Sequence, residues 1–150
     1  MDKCFFTFKF NNLGRGRLQL YTGESIVDSI EARTGSISGK SRLLNAIYPG
    51  VWSIRDEPVE TQEKAMVWYK IGWKARLYTP VGERSSYLIH PDGGEKLGNG
   101  TDGCIGLQGN GQSIRNSIRN IIRNIEQPEI EVHISKEAED DKIMEDFAGI

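Results

Sequence analysis

The chain has 150 residues, and its 19 lysine and arginine residues against 21 aspartate and glutamate residues give a formal net charge of −2. A nucleic-acid-binding domain would carry a basic surplus, so this charge argues against nucleic acid as a partner. The hydrophobic fraction of 37% is typical of a globular protein. The length fits one domain, which we expect over residues 1–135, with residues 136–150 forming an acidic C-terminal tail or a short docking helix.

No segment of the sequence is typical of export or of membrane insertion. Residues 1–10 lack the basic start, the long apolar run and the small-residue cleavage site of a signal peptide. No window approaches the roughly 18 consecutive apolar residues of a membrane span. Two cysteines, Cys4 and Cys104, are too few for a disulfide framework. We therefore expect synthesis in the cytoplasm, with no signal peptide and no membrane span.

The first half of the chain is predicted to form strands. Phe6, Phe8 and Phe10 recur at every second position, which is the period of a half-buried strand. Ile26, Val27 and Ile30 support a later strand, and the asparagines and glycines between these segments favour turns. The predicted elements are a strand over 4–10, a turn over 11–16, strands over 17–21 and 25–33, a loop over 35–45 and a strand over 51–54.

The second half combines strands with one helix. Between residues 66 and 78, apolar and basic side chains alternate, as in an antiparallel strand with one buried face. After residue 110, isoleucines recur on one helical face, and Pro128 is expected to end the helix. The apolar face of the strand comprises Tyr69, Ile71, Trp73, Ala75 and Leu77, and that of the helix Ile114, Ile118, Ile121, Ile122 and Ile125. A loop is expected over 56–64, and further strands over 85–90 and 129–134.

This order of elements predicts a mainly β fold with one substantial helix, arranged as a β-sandwich or a partly closed barrel. A fold of this kind does not by itself identify a function. The segment Gly39-Lys40-Ser41 lacks the spacing of a phosphate-binding loop. Neither a cofactor nor a metal ion is expected.

One segment of the sequence brings together residues that can carry chemistry. His90 and Cys104 are joined by a glycine-rich stretch, and a nearby imidazole can both take the proton of a thiol and stabilise the thiolate. Proline after His90 favours an extended conformation, so His90 is expected to be the last residue of its strand. The other histidine, His133, is expected to be structural or exposed. We expect Cys104 as the nucleophile and His90 as the base.

The residues around this pair resemble the catalytic motif of the L,D-transpeptidase (YkuD-type) family. The resemblance lies in Ile89-His90 followed by Thr101-Asp102-Gly103-Cys104-Ile105, with weaker similarity in residues 34–40 and 47–54, and it covers roughly residues 17 to 108. Asp102 stands where many members have histidine, and Gly106 where many have arginine. The short spacing between histidine and cysteine is closest to small members encoded by phages or delivered as antibacterial effectors.

The resemblance implies a cysteine-dependent L,D-transpeptidase or L,D-carboxypeptidase that acts on peptidoglycan stem peptides through a thioester. It implies oxyanion or substrate contacts at Thr101 and Gly103, and a backbone carbonyl as the partner that orients His90. Asp102 and Asp92 are further candidates for that partner because they are near in the sequence. Action in the periplasm or cell wall would require delivery machinery or lysis, and an immunity protein is a further possible partner. The alternative is a catalytically inactive scaffold or binding module of the same fold, as a phage or effector component.

Overall fold

The computed structural model describes residues 2–37, 42–93 and 101–137, without the side chains of Thr101 and Asp102. Within these ranges the chain forms eleven strands, one α-helix and one 3₁₀ turn. The helix α1 covers Gln112–Arg123, and the 3₁₀ turn covers Lys64–Met66. The strands are β1 (Cys4–Phe10), β2 (Arg15–Thr22), β3 (Ser25–Ile37), β4 (Leu43–Leu44), β5 (Gly50–Ile54), β6 (Val59–Glu60), β7 (Val67–Trp68), β8 (Ile71–Tyr78), β9 (Arg84–Pro91), β10 (Thr101–Leu107) and β11 (Ile130–Lys136).

Eight of these strands close into a barrel. Their order around the ring is β10, β9, β8, β5, β11, β1, β2 and β3, and pairing between β3 and β10 closes it. The pairs β1–β11 and β9–β10 are parallel, and the other neighbours in the ring are antiparallel. For the described part of the chain, the predicted mainly β fold with one helix is confirmed, and its sheet forms a closed barrel rather than a sandwich.

Alternate residues of the ring strands fill the interior of the barrel. Phe6, Phe8 and Phe10 are buried as predicted, because β1 turns every second side chain inward. Leu18 and Leu20 face them from β2, where they are the register partners of Phe8 and Phe6. Full burial of such a side chain contributes about 1.5–3 kcal/mol. This aromatic and aliphatic core fixes the positions of the strands.

The third strand differs from its prediction in length and in the direction of its side chains. β3 continues to Ile37, beyond the predicted end at residue 33. Ile26 and Val27, on which the prediction relied, are 51% and 55% exposed. The register between β2 and β3 shifts next to Leu20, and such a bulge turns the following side chains to the other face. Ala32 lies beyond the bulge and is buried.

A turn interrupts the segment that was predicted as one strand over residues 66–78. Tyr69 and Lys70 have φ values of 45° and 74°, and they connect β7 to β8 as a two-residue hairpin. Tyr69 is therefore 71% exposed instead of lying on the buried face. β8 keeps the predicted alternation beyond this turn, with Trp73, Ala75 and Leu77 buried.

The helix buries its isoleucine face but ends earlier than predicted. Ile114 and Ile118 are fully buried, whereas Ile125 lies after the end of α1 and is 94% exposed. Three arginines at every fourth position of the helix form ion pairs with Glu57 and with Glu60 of β6. These pairs are Arg115–Glu60 at 3.6 Å, Arg119–Glu57 at 3.9 Å and Arg123–Glu57 at 2.8 Å.

The last described strand, β11, inserts between β1 and β5. It pairs in parallel with β1 and antiparallel with β5, so it joins these two strands within the ring. Residues 138–150 lie outside the described residues. The expectation that this acidic segment forms a tail or a docking helix therefore stays a prediction.

Candidate active site

His90 lies on the outer face of the barrel, near the end of β9. Its neighbour Ile89 points into the interior, where it is fully buried opposite Ile105 of β10. Since successive side chains of a strand alternate between faces, the imidazole of His90 points outward. It is nevertheless only 3% exposed. The 3₁₀ turn Lys64–Met66 lies against β9 and the charge of Glu63 acts on the imidazole, so this segment is part of the cover.

The peptide unit between Pro91 and Asp92 holds the imidazole in one orientation. Its carbonyl oxygen lies 2.6 Å from Nδ1 of His90, and its N–H donates to the carbonyl oxygen of Leu107 on β10 at 2.9 Å. A carbonyl oxygen can only accept, so Nδ1 carries the proton in the neutral imidazole and Nε2 carries the lone pair. β9 extends one residue past His90, to Pro91, and thereby fixes this peptide unit.

Burial lowers the pKa of His90 below its ordinary value of 6.5, because an imidazolium ion is poorly solvated at this position. The hydrogen bond to Pro91 and the negative charges of Asp92 and Glu63 oppose the shift and are weaker. The imidazole is therefore neutral at neutral pH. A neutral imidazole with its lone pair on Nε2 is the form that can take a proton from a thiol.

Asp92, one expected partner of His90, is held by other side chains. Its Oδ2 atom accepts hydrogen bonds from Nε of Arg33 at 2.6 Å and from Nε2 of Gln108 at 3.0 Å. Asp92 is only 6% exposed, so this ion pair is screened little by water. The group that contacts Nδ1 of His90 is the Pro91 carbonyl, and Asp92 fixes the backbone next to it.

Arg33 and Gln108 were not predicted to take part in the site. Arg33 reaches Asp92, 59 positions away in the sequence, because β3 pairs with β10 where the barrel closes. No local pattern indicates that pairing. Gln108 follows directly after β10, and its position two residues beyond Gly106 is the only sequence feature that indicates its side of the sheet.

Cys104 lies on β10, next to Ile105, which points into the barrel opposite Ile89 of β9. Since successive side chains of a strand alternate between faces, this neighbour predicts that the thiol points outward, as the imidazole of His90 does. The ladder between β9 and β10 begins at Ile105, so Cys104 lies one residue before it and two residues before Gly106, the register partner of His90. Gly106 has no side chain to separate the imidazole from the thiol, which is partly buried. The expected contact of roughly 3–4 Å between Sγ and a ring nitrogen stays a prediction.

Gly103 supports the strand and does not supply the expected oxyanion contact. Its φ of 71° lies in the left-handed region that favours glycine, and a Cβ atom would clash with Cε1 of Tyr87. Its N–H donates to the carbonyl oxygen of Asn45 at 2.7 Å. This N–H is therefore already bonded in this structure and is not available to an oxyanion, while the substrate contact expected at Gly103 stays a prediction.

Two further candidates have only their backbone described. Thr101 pairs with Gly35 of β3, and Asp102 follows it on β10, while both side chains lie outside the described part. The roles expected for these residues stay predictions. His133 lies on β11, separated from β9 by β8 and β5, with Nε2 at 3.1 Å from Oε1 of Glu131. It belongs to another side of the barrel.

The described residues contain no group of three or more His, Cys, Asp and Glu side chains that could hold a metal ion. Within residues 2–37, 42–93 and 101–137, no helix combines the length and the apolar character needed to cross a membrane. The arrangement offers a thiol and a neutral imidazole on two neighbouring strands, and such a pair is suited to nucleophilic attack on a carbonyl. A comparison of the chain with protein-family models, curated proteins and solved structures finds no match.

Proposed function

We propose that the protein is a cysteine acyltransferase or peptidase of the L,D-transpeptidase type, and that its barrel is the catalytic domain. The substrate is a peptidoglycan stem peptide, cleaved between its third residue and the D-amino acid that follows. The observation that carries the proposal is the parallel register of β9 and β10, which pairs His90 with Gly106, two residues after Cys104. The orientation of His90 by the Pro91 carbonyl supports it, since this places the basic lone pair on Nε2.

The first half of the reaction forms a thioester. Nε2 of His90 takes the proton of Cys104, and the thiolate attacks the carbonyl carbon of the third stem residue, so that a C–S bond forms. The oxyanion then collapses and the C–N bond breaks. The leaving amine of the D-amino acid takes the proton from His90. Because the N–H of Gly103 is bonded to Asn45, the donors to the oxyanion have to come from other groups beside Cys104.

The second half resolves the thioester. Water or the amine of a neighbouring stem attacks the same carbonyl carbon, and His90 takes the proton of the nucleophile. The C–S bond breaks and the thiolate takes the proton back. Water gives an L,D-carboxypeptidase, and an amine gives an L,D-transpeptidase. The proposed place of action is the periplasm or cell wall, reached by delivery or released by lysis, with an immunity protein as a possible partner.

Alkylation by iodoacetamide tests the pair without a substrate. An unactivated thiol is only a few per cent thiolate at pH 7, so activation by His90 should speed alkylation of Cys104 by about tenfold or more. We expect His90→Gln to remove this acceleration. Cys4 is the matched internal control, because it is also a partly buried thiol and its Sγ lies 3.3 Å from Oγ1 of Thr22. Mass spectrometry of tryptic peptides distinguishes the two sites.

Digestion of defined muropeptides tests the reaction itself. The wild type and Cys4→Ala should release the terminal D-amino acid, whereas Cys104→Ala should release none while keeping its circular dichroism spectrum. A mass difference between products separates hydrolysis from transfer. Release by Cys104→Ala at the wild-type rate would contradict the proposal. Slow alkylation together with no product from any muropeptide would favour the inactive scaffold.

A further inference from the structure

Four residues on neighbouring strands form a row across the outer face of the barrel. Arg15 of β2 pairs with Arg33 of β3, Arg33 pairs with Gly106 of β10, and Gly106 pairs with His90 of β9. Directly paired residues point to the same side of a sheet, so both guanidinium groups share a face with the imidazole. Since neighbouring strands are about 4.8 Å apart, the Cα atoms of Arg33 and His90 are roughly 10 Å apart.

A groove of about 750 Å³ opens beside this row. Three arginines line it, and the acidic residue in its wall is Glu31. Trp68 and Gln108 also line it, and Gln108 bonds to Asp92 at the end of β9. The groove therefore runs from β2 towards the residues next to His90, and its charge is positive. Its arginines are Arg15, Arg17 and Arg33.

The three arginines differ in the ion pairs and hydrogen bonds that their side chains already make. Arg17 donates to Oγ of Ser29 at 2.8 Å and lies 3.9 Å from a carboxylate oxygen of Glu31. Arg33 uses Nε for Asp92, while its buried Nη2 has no hydrogen-bond partner among the described residues. The side chain of Arg15 makes neither an ion pair nor a hydrogen bond within residues 2–37, 42–93 and 101–137. Positive charge thus remains for an anion at Arg15, whereas the charge of Arg33 is paired with Asp92 and one of its nitrogen atoms is left without a hydrogen-bond partner among the described residues.

We propose that this groove binds the free α-carboxylate of the C-terminal D-amino acid of the stem peptide, an inference that rests on the proposed function. The amine that His90 protonates and this carboxylate are attached to the same carbon atom. The carboxylate is therefore the substrate anion that lies nearest to His90 on the leaving-group side. Arg33 reaches across β10 to Asp92, so its guanidinium lies between the groove and the end of β9. Arginine forms strong charge-assisted hydrogen bonds with carboxylates.

The inference predicts that the protein distinguishes a free C-terminus from a blocked one. Isothermal titration of Cys104→Ala with an L-Ala-γ-D-Glu-diaminopimelyl-D-Ala tetrapeptide, as the free acid and as the C-terminal amide, measures this without turnover. We expect the free acid to bind about tenfold more tightly, the ratio that one charge-assisted hydrogen bond supports. Arg15→Gln should reduce this ratio about threefold, as for a partly exposed ion pair, and Arg33→Lys should reduce it further.

Arg84→Gln is the matched control, because Arg84 is an exposed arginine of β9 outside the groove. It should leave the ratio unchanged. Equal affinities for acid and amide, absence of binding, or an undiminished ratio in both Arg15→Gln and Arg33→Lys would overturn the inference. Turnover of the free acid and the amide by the wild type is measured in parallel. If the wild type turns over the acid and the amide equally, the carboxylate site in the groove is rejected and the proposed function stands. If the free acid binds more tightly than the amide but neither is turned over, the carboxylate site stands and the proposed function is rejected.

Discussion

At the scale of single residues, His90 combines burial with a fixed orientation. An exposed histidine at pH 7 would exist in two neutral tautomers and a charged form. Here burial favours the neutral ring, and the Pro91 carbonyl selects the tautomer with the proton on Nδ1. The side chain is thus held ready to accept a proton before any ligand binds, and this state depends on pH in a measurable way.

We expect the protein to lose stability as the pH falls below 6.5, with His90 as one cause. The folded state lowers the pKa of His90 below 6.5, so between the two values the unfolded chain binds more protons than the folded one. The stabilisation from the buried neutral ring is complete above 6.5 and is lost as the pH falls towards the lowered value. Urea unfolding of the wild type and His90→Gln between about pH 5 and 8 measures this loss.

The matched control for this experiment is His133→Gln, which removes the other imidazole, 44% exposed on β11. The free energy of unfolding of His133→Gln should still fall below pH 6.5 because His90 is intact. In His90→Gln the free energy of unfolding should fall less steeply as the pH is lowered. Parallel curves for the wild type and His90→Gln over the whole range would contradict the neutral, buried state of the ring.

Gly103 should be intolerant of any side chain for structural reasons. Gly103→Ala places a Cβ atom against the ring of Tyr87 and keeps a left-handed φ, so we expect a loss of about 2–4 kcal/mol in the free energy of unfolding. Gly82→Ala is the control, because Gly82 has a similar φ of 82° but its Cβ would meet only the flexible end of Arg55 at 3.2 Å. Gly82→Ala should cost about 1 kcal/mol. Equal losses in chemical denaturation would show that the Tyr87 contact is unimportant.

At the scale of elements, the hydrogen bonds of Asp92 hold the ends of β9 and β10 together. Asp92 ties β9 to Arg33 of β3 and to Gln108 after β10. The side chains of Arg33 and Asp92 are only 12% and 8% exposed. The ion pair therefore connects three strands in a region of low dielectric, where removing one charge leaves the other uncompensated.

Asp92→Asn should accordingly destabilise the protein by about 3–5 kcal/mol, because the guanidinium of Arg33 would lose its buried counter-ion. Glu57→Gln is the matched control, since Glu57 and Arg123 form an ion pair whose side chains are 44% and 62% exposed. That change should cost less than about 1 kcal/mol. Both are measured by guanidinium unfolding. Similar losses for the two variants would mean that burial does not strengthen the Arg33–Asp92 pair.

Elements with local alternation could be predicted from the sequence, and their arrangement could not. The alternation of β1 and the apolar face of β8 from Trp73 onward depend on neighbouring residues, and both predictions are confirmed. Tyr69 continues the same alternation, yet it lies in a turn, because a two-residue hairpin leaves the periodicity unchanged. The bulge that turns Val27 outward likewise has no signature in composition.

The same difference holds for the candidate site, of which only a part could be predicted from the sequence. His90 and Cys104 could be named from the sequence because the chain between them is short and rich in glycine. Two other features of the site depend on the whole ring. One is the parallel register that pairs Gly106 with His90, and the other is the closure of the barrel, which brings Arg33 to Asp92. Long-range pairing of this kind is decided by packing of the complete core rather than by local propensity.

At the scale of the whole molecule, the barrel depends on β11, which pairs with β1 on one side and with β5 on the other. Stretching the protein between residues 3 and 137 should need a larger rupture force than stretching it between residues 71 and 91. The first geometry loads the parallel pair β1–β11, and the second opens the antiparallel pair β8–β9 from its end. Single-molecule force spectroscopy on both attachment pairs checks this, and equal forces would contradict it.

The parallel ladder from Phe5–Glu131 to Phe10–Lys136 therefore has a mechanical consequence. In a parallel pair, the start of β1 and the end of β11 lie at opposite ends of the ladder, so tension between them shears the strands. All the hydrogen bonds of the ladder then carry load together, whereas an unzipping hairpin breaks them one at a time. Forced unfolding is governed by the unfolding rate rather than by equilibrium stability. A device that pulls residues 3 and 137 apart therefore has to shear this ladder as a whole before β1 and β11 separate.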